Sequence, residues 1–470
     1  MSSSASSRLR AGYLPTSGPS LPFATLPGPA GDLGVTVPTW SAETLEPLLE
    51  HLRIRARRWR GGPLAERADA IAAAAAVWRH PMHPTRQVAL SLLTRQTGRA
   101  PGLVAESLDF FLGKLSREEL LAESLRLGFS DATSEAPRLA LHWLAGNTPW
   151  PGLESLVAAT LAGSASLVKL ARSEPYFAGA FAETLAATRP ELAEALAVLH
   201  WSGAGETWDT RLFPRLDVVV AFGADASLAA LRSRIAASPA PQPRLVAHGH
   251  RLSAAILGPA AWSGPAAVST AERVAYDHVL EEQQGCLSPR AVYLVGDGCG
   301  GRDGAAGTVA GRDADPARDL ASGIADRLAA WERRWPRAGL APEEAARVQQ
   351  LRLSARLRGK LVLHSENSTQ WTVLLDDRLE FDPAPPARFV WLRHASSLEA
   401  AVAGLAAARG VLSTLAFDGF AGPAPAAQRA MAALSPDRLC LPGTMQRPAW
   451  GWNHDGASDL AWFLGAHEAR

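Results

Sequence analysis

From Ser41 to Ala132 apolar residues return at every third or fourth position, as in WSAETLEPLLEHL, LAERADAIAAAAAVW and VAESLDFFLGKLSREELLAES, and this period predicts a helical N-terminal region over residues 41–136. Ser41 is a candidate N-cap with Glu43 in the first turn, and Trp40 and Leu45 have the spacing of a hydrophobic staple. After Pro137 the texture changes. Short apolar runs (LALHWLAG, SLVKLA, ALAVLHW, LDVVVAFG, RLVAHGH) alternate with helical stretches such as LESLVAATLAG, YFAGAFAETLAAT and SLAALRSRIAA. Such alternation predicts a parallel sheet wound by helices over residues 137–247. Further strands at AAILG, AVYLVG, VLHSENSTQWTVLLD and FVWLRHA, with helices between them, predict a second α/β domain over residues 248–425. A C-terminal segment, residues 426–470, follows. Residues 1–40 are polar and then rich in Pro and Gly, which predicts a flexible arm, and the glycine-dense stretch from Gly296 to Pro316 predicts a surface loop.

Composition narrows the class. With 470 residues and 47% apolar content the chain can bury a large core. Lys plus Arg (47) nearly balance Asp plus Glu (46), so no overall field attracts nucleic acid, and a DNA or RNA partner is excluded as an expectation. The three cysteines, Cys286, Cys299 and Cys440, stand at unrelated spacings without a CxxC pair or a Cys/His cluster, which predicts a reduced, cytoplasmic protein with no metal. The apolar stretch Leu153 to Val168 carries Glu154 and several Ser and Gly, and falls short of a membrane span. The N-terminus lacks the apolar core of a signal peptide.

Five stretches carry candidate chemistry. In QQGCLSPR, Cys286 is either a small core residue or a nucleophile; the Gln-Gln-Gly lead-in permits a sharp turn that presents the thiol at the head of the strand AVYLVG. In HWLAGNTPWP the loop follows a parallel strand, where ligands usually bind, and Asn147 either caps the next helix or donates to an oxyanion. In SLVKLARSEP, Lys169 and Arg172 put two cations at the sheet edge, able to hold ribose hydroxyls and a phosphate, or are a solvated strand end. In HWSGAGE and VVVAFGADAS a strand runs into Gly203 or Gly223 and then into a helix start, where backbone N–H groups can receive a pyrophosphate.

The ordered set AGNTP, VKLARSEP, AFGAD, AHGHRLS, QQGCLSP and WNHDG resembles the acyl-CoA reductases of the bacterial luminescence type (LuxC-like), a branch of the aldehyde dehydrogenase superfamily. The resemblance runs from about residue 45 to the C-terminus and is most specific at residues 142–175 and 248–290. It implies an aldehyde dehydrogenase-like α/β fold, with two Rossmann-like domains, a helical N-terminal region and a thiol in the cleft between the domains. Residues 137–247 are then the NADP-binding domain, residues 248–425 the catalytic domain, and residues 426–470 return to the cofactor domain or the interdomain region. The implied reaction is NADPH-dependent reduction of an acyl thioester to an aldehyde through an acyl-cysteine. By their positions in the motifs, Cys286 resembles the acylated nucleophile, Asn147 the oxyanion donor, Lys169 the lysine at the adenosine ribose, and Gly223 the glycine beside the cofactor. Gly203 joins the cofactor-binding candidates. Arg172 stands where NAD-preferring relatives often carry a glutamate, which favours NADPH.

Aldehyde-oxidising relatives carry a base glutamate where this chain reads His248-Gly249-His250. Its loss protects a thioester from activated water and supports reduction. Either histidine is structural or a proton donor. The usual Glu-Ile-Phe-Gly-Pro motif is replaced by LEFDPAPP, where Glu380 or Asp382 substitutes at the nicotinamide ribose. Trp450 and Trp452 read as core. The resemblance further implies an acyl donor, acyl-CoA or an acyl carrier or acyl-protein synthetase, and a homo-oligomer. A cysteine-dependent acyltransferase without redox chemistry and a non-catalytic acyl-binding subunit remain as alternatives.

Overall fold

The computed structural model describes residues 9–27, 34–129, 137–202, 206–296, 315–421 and 423–463. Gly203 and Cys299 lie outside the described residues. The chain forms two compact units, one of residues 1–98, 108–250 and 449–470, the other of residues 99–107 and 251–448.

In the first unit, β1 (Leu9–Arg10), β2 (Phe23–Pro27) and β3 (Gly34–Pro38) make a small sheet in the order β1-β3-β2. Where it is described, at residues 9–27 and 34–40, the N-terminal stretch expected to be a flexible arm is therefore structured. The physical reason is an open sheet edge that the arm covers. Tyr13 exchanges backbone hydrogen bonds with Val198 at 3.0 and 2.8 Å, and Glu194 accepts from the Thr16 and Ser17 N–H groups. The edge belongs to a parallel sheet of β4 (Leu139–Trp143), β5 (Ala165–Lys169), β6 (Leu196–Leu199), β7 (Val218–Phe222) and β8 (Arg244–His248), in the order β6-β5-β4-β7-β8. β5, β6 and β7 are buried at every position, as a strand covered on both faces must be. The helix Leu45–Arg60 lays Leu45, Leu48, Leu49, Leu52 and Ala56 into the same core as Leu139, Leu141, Ala165 and Leu167. Each such aliphatic side chain contributes roughly 1.5–3 kcal/mol on leaving water. The first helix of the N-terminal region is thus part of this unit's core, whereas Ala100 and Leu103 pack into the core of the second unit.

The second unit is built on a sheet of β9 (Leu252–Leu257), β10 (Pro289–Val295), β11 (Leu361–His364), β12 (Thr372–Asp376), β13 (Phe389–Ala395), β14 (Leu412–Asp418) and β15 (Arg438–Cys440), in the order β11-β12-β13-β10-β9-β14-β15. Only the β11–β12 pair is antiparallel among these. The unit extends to Pro448 rather than residue 425, because the helix Pro423–Leu434 leads into β15, which pairs with β14. Among the described residues no helix is long and apolar enough to cross a membrane.

Candidate active site

In the first unit the chemistry gathers at the carboxyl ends of the strands. Trp143 and Lys169 are register partners at the ends of β4 and β5. Lys169 is only 8% exposed, with its ammonium 4.4 Å from the ring centre of Trp143 and 5.5 Å from that of Trp201. Burial, aided by the Arg234 charge, pulls the Lys169 ammonium down to about 8. Arg234 is itself held by Asp209, Nε to Oδ2 at 2.6 Å. Arg172 is exposed, so the two cations expected together differ in setting. Both nevertheless act on the half-buried His200 imidazole, which burial and then these charges push below its ordinary value. A buried cation between two indoles at the C-terminal edge of a parallel sheet fits the adenosine half of a dinucleotide. Gly223 follows β7 and donates its N–H to the His248 carbonyl at 3.2 Å, just ahead of the helix Asp225–Ala237.

The AGNTP loop is packed from beneath. Gly146 lies so close to Ser173 that a Cβ there would sit 1.7 Å from Ser173 Oγ, and its carbonyl accepts from Gln96 Nε2. The next helix, Trp150–Leu161, has Pro149 at its N-cap and no side-chain cap. Asn147 does not cap it, and its side chain is exposed.

At the end of β8, His248 is 4% exposed and sandwiched, its ring 4.6 Å from Phe222 and 4.4 Å from His454, which in turn stacks on Trp452 at 5.0 Å. Its Nδ1 lies 2.6 Å from Asp455 Oδ2 and must carry the proton that this bond shares. Its Nε2 is buried without a hydrogen-bond partner, 3.7 Å from the equally unpartnered Asp459 Oδ1. Burial raises the Asp459 carboxyl to about 7, against the lowering pull of His248. His248, His454 and Asp459 offer ligand atoms within 4.8 Å of one another. The two imidazole planes are only 19° apart, so their lone pairs run side by side rather than converging as around a tetrahedral ion. The cluster is better suited to holding a proton. His250 is exposed, and its backbone N–H donates to Asp225 Oδ1 at 2.8 Å.

In the second unit, Cys286 is half-buried on the loop before β10. Its carbonyl accepts from Ser253 Oγ at 2.7 Å, and Ser253 Oγ accepts in turn from the Thr414 N–H at 3.1 Å. The sharp turn is not made at Gly285, which has no positive φ, but earlier, at Glu281, Glu282 and Gln283. The Arg438 guanidinium, pinned by Thr414 Oγ1 at 3.3 Å and by the carbonyls of Thr444 and Met445, acts electrostatically on the thiols of Cys440 and Cys286.

The profile of the acyl-CoA reductase (LuxC) family matches residues 126–465, most of the chain. The chain belongs to this family. Among curated relatives, the long-chain acyl-protein thioester reductase of Aliivibrio fischeri is 27% identical over 194 residues, which cover 40% of this chain and 38% of that protein. The match thus spans about two fifths of the relative's length. Among solved structures, aldehyde dehydrogenase 21 of Physcomitrella patens superposes with a TM-score of 0.67 over 97% of this chain and 96% of its own, at 12% identity. The NADP-dependent glyceraldehyde-3-phosphate dehydrogenase of Bacillus halodurans gives a TM-score of 0.62 over 92% and 91%, at 15% identity. At such identities the likeness is one of fold, and the fold is that of the aldehyde dehydrogenases.

Within the matched acyl-CoA reductase region, Glu380 and Asp382 are exposed, and the Asp382 carbonyl accepts from Arg393 Nη2 at 3.2 Å. Trp450 is buried, whereas Trp452 is half-buried against His454. Asp455, Asp459, Trp143 and Trp201 are site residues that the motifs did not single out for a role. The aromatic pair could have been found from its place at strand ends, next to the lysine; Asp455 stands in the WNHDG motif but its pairing with His248, 207 residues away, has no local signal, and Asp459 lies in no motif.

Proposed function

We propose that this chain reduces an acyl thioester to an aldehyde, with Cys286 carrying the acyl group and NADPH as reductant. The observation that carries the reading is the half-buried Cys286 thiol, its carbonyl tied to Ser253 and the Arg438 charge acting on it, in a chain of the acyl-CoA reductase family. A cation near a thiol favours the nucleophilic thiolate.

The Cys286 sulfur attacks the carbonyl carbon of the thioester, and the carbon's bond to the donor sulfur breaks, so the donor leaves as a thiol and the acyl group stays on Cys286. Asn147 and the Cys286 N–H hold the negative charge on the carbonyl oxygen while it exists, each donor contributing about 2.7–4 kcal/mol. When bound, NADPH supplies the hydride that takes the acyl carbon to the aldehyde level. The bond from carbon to Cys286 sulfur then breaks, and a proton held by the His248–Asp459 pair returns to the departing sulfur. No carboxylate base stands at the His248 position to activate water against the acyl-enzyme. Lys169 and Arg172 would hold the adenosine ribose and its 2′-phosphate, with Gly223 at the adjoining turn. The exposed Arg172 cation supports NADPH over NADH.

The name of the relatives, long-chain acyl-protein thioester reductase, supports a long-chain acyl group delivered as a protein thioester, and the description of the family, acyl-CoA reductase, supports a CoA thioester. Intact-mass analysis after incubation with a panel of acyl-CoAs, without NADPH, is expected to show an acyl adduct that Cys286→Ala abolishes. Adding NADPH is then expected to discharge it as aldehyde. An adduct that NADPH leaves untouched would favour acyl transfer without reduction; no adduct and no aldehyde from any thioester would end the reading.

A further inference from the structure

Just ahead of Cys286 three successive non-glycine residues are left-handed. Glu281, Glu282 and Gln283 have φ of 54°, 52° and 60°. L-residues crowd their own carbonyl there, and such a run persists only where its surroundings over-determine it. All three side chains are buried, and each is clamped. Glu281 pairs with Arg99. Glu282 accepts from Arg388 Nε at 2.8 Å and Nη2 at 2.6 Å, with Arg337 Nε at 3.4 Å.

Gln283 is the most telling. Its Nε2 donates to the carbonyls of Pro289 at 2.8 Å and Phe389 at 3.0 Å, and its Oε1 accepts from the Phe389 N–H at 2.7 Å. The ladder between β10 and β13 begins only at Val292 and Leu392. The Gln283 carboxamide therefore acts as a surrogate peptide group across the first residues of both strands, beside a proline that has no N–H to give. From Gln283 onward little freedom remains. The Gln284 N–H closes on the Glu281 carbonyl at 2.9 Å, the Ser288 N–H on the Gly285 carbonyl at 3.1 Å, and Gln446 holds Ser288 Oγ. Ser253 holds the Cys286 carbonyl in between, at a point where the ladders on both sides of β9 shift register.

We propose that the clamped left-handed turn is a device that positions Cys286, with Gln283 and Ser253 as its positioning residues. The strain at residues 281–283 is retained because it sets the direction in which the chain enters the nucleophile loop. Gln283 sets where that loop starts and Ser253 sets the Cys286 peptide itself. This rests on Cys286 being the acyl acceptor.

The test uses the full-length chain. Gln283→Glu keeps the shape but removes the donors, Gln283→Met keeps the length without polar atoms, and Ser253→Ala deletes one hydroxyl and is the mildest should the others fail to fold. Val390→Ala, a fully buried core residue of β13, is the control for lost stability. The rate of acyl-adduct formation at Cys286 without NADPH is expected to fall roughly tenfold to a hundredfold in the Gln283 and Ser253 variants, the scale of a small misplacement of a reacting atom. The KM for NADPH should stay unchanged. Val390→Ala, at an equal or larger loss of melting temperature, is expected to acylate at the wild-type rate. Folded Gln283 and Ser253 variants acylating as wild type, or slowing only in proportion to lost stability as the control does, would overturn the positioning role. Wild-type protein that takes up no acyl group would instead overturn the functional reading beneath it.

Discussion

His248 Nδ1 and Asp455 Oδ2 lie 2.6 Å apart, although 207 residues separate them in the chain. The bond fixes which ring nitrogen holds the proton, and stacking between Phe222 and His454 fixes the plane of the ring. What remains free is Nε2, facing Asp459. An imidazole oriented in this way is prepared to give or take one proton at one atom.

His248→Gln is expected to lower aldehyde formation roughly 10²–10⁴-fold, the usual contribution of a positioned acid or base. Asp455→Asn should lower it less, by releasing the tautomer. Acyl-adduct formation in the absence of NADPH should keep its rate in both, because the histidine is assigned to the release of the aldehyde. Single-turnover acylation measured beside steady-state NADPH oxidation separates the two stages. Parallel loss of both would move His248 to the activation of Cys286.

Asp459 makes the same cluster visible in stability. Burial keeps its carboxyl protonated up to about 7, whereas in the unfolded chain it ionises near its ordinary 3.8. Between those values the folded state binds the extra proton, so stability from this group falls as pH rises through the window and is flat above it. Asp459→Asn should therefore be more stable than wild type at pH 8, by roughly 1–4 kcal/mol, with a correspondingly higher melting temperature, and match it near pH 4. Thermal melts at both pH values check this; a difference independent of pH would refute the raised titration.

The α/β architecture is readable in the sequence wherever strands are buried on both faces, because β4 to β7 then appear as short, mostly apolar runs between helices, unbroken in β6 and β7. Such runs do not show pairing. β14 and β15 go unrecognised, one because LSTLAFD alternates with small polar residues and the other because three residues carry no period. The arm at residues 9–27 and 34–38 reads as loose because its order comes from an edge strand that the local sequence does not contain. The site divides in the same way. Cys286, Asn147, Lys169 and Asp455 stand in motifs, whereas the approach of Asp455 and Asp459 to His248 and the Arg438 charge near Cys286 are long-range products of folding. The left-handed run at Glu281–Gln283 is invisible to residue preference, which expects glycine at such a turn.

The proposed place of Lys169 at the cofactor ties affinity to pH. A lysine is cationic below its pKa, and burial has brought this one down to about 8. The KM for NADPH should be steady below that value and rise as pH climbs through it. Lys169→Met is expected to raise the KM roughly tenfold at pH 7, as the loss of a charge-assisted contact does, and to flatten the pH profile. Arg172→Glu should shift preference from NADPH toward NADH. A wild-type KM that stays level from pH 6.5 to 9.5, at roughly those limits, would remove Lys169 from the cofactor site.

Arg438 supplies the last test, on the thiol itself. Its guanidinium is anchored by Thr414 Oγ1 and two carbonyls, and its charge acts on Cys286 and Cys440. A nearby cation stabilises the thiolate form, so removing it should make Cys286 harder to ionise. Arg438→Met is expected to raise the pH midpoint for iodoacetamide alkylation of Cys286 by roughly one unit. Well above the midpoint, variant and wild type should alkylate alike. Arg438→Lys keeps a positive charge and should recover most of the shift. Peptide mass analysis distinguishes Cys286 from Cys440, whose thiol burial pushes up. An unmoved midpoint in Arg438→Met would mean that the thiolate draws its stability from the loop's own N–H groups, and the assignment of Arg438 to the activation of Cys286 would fall.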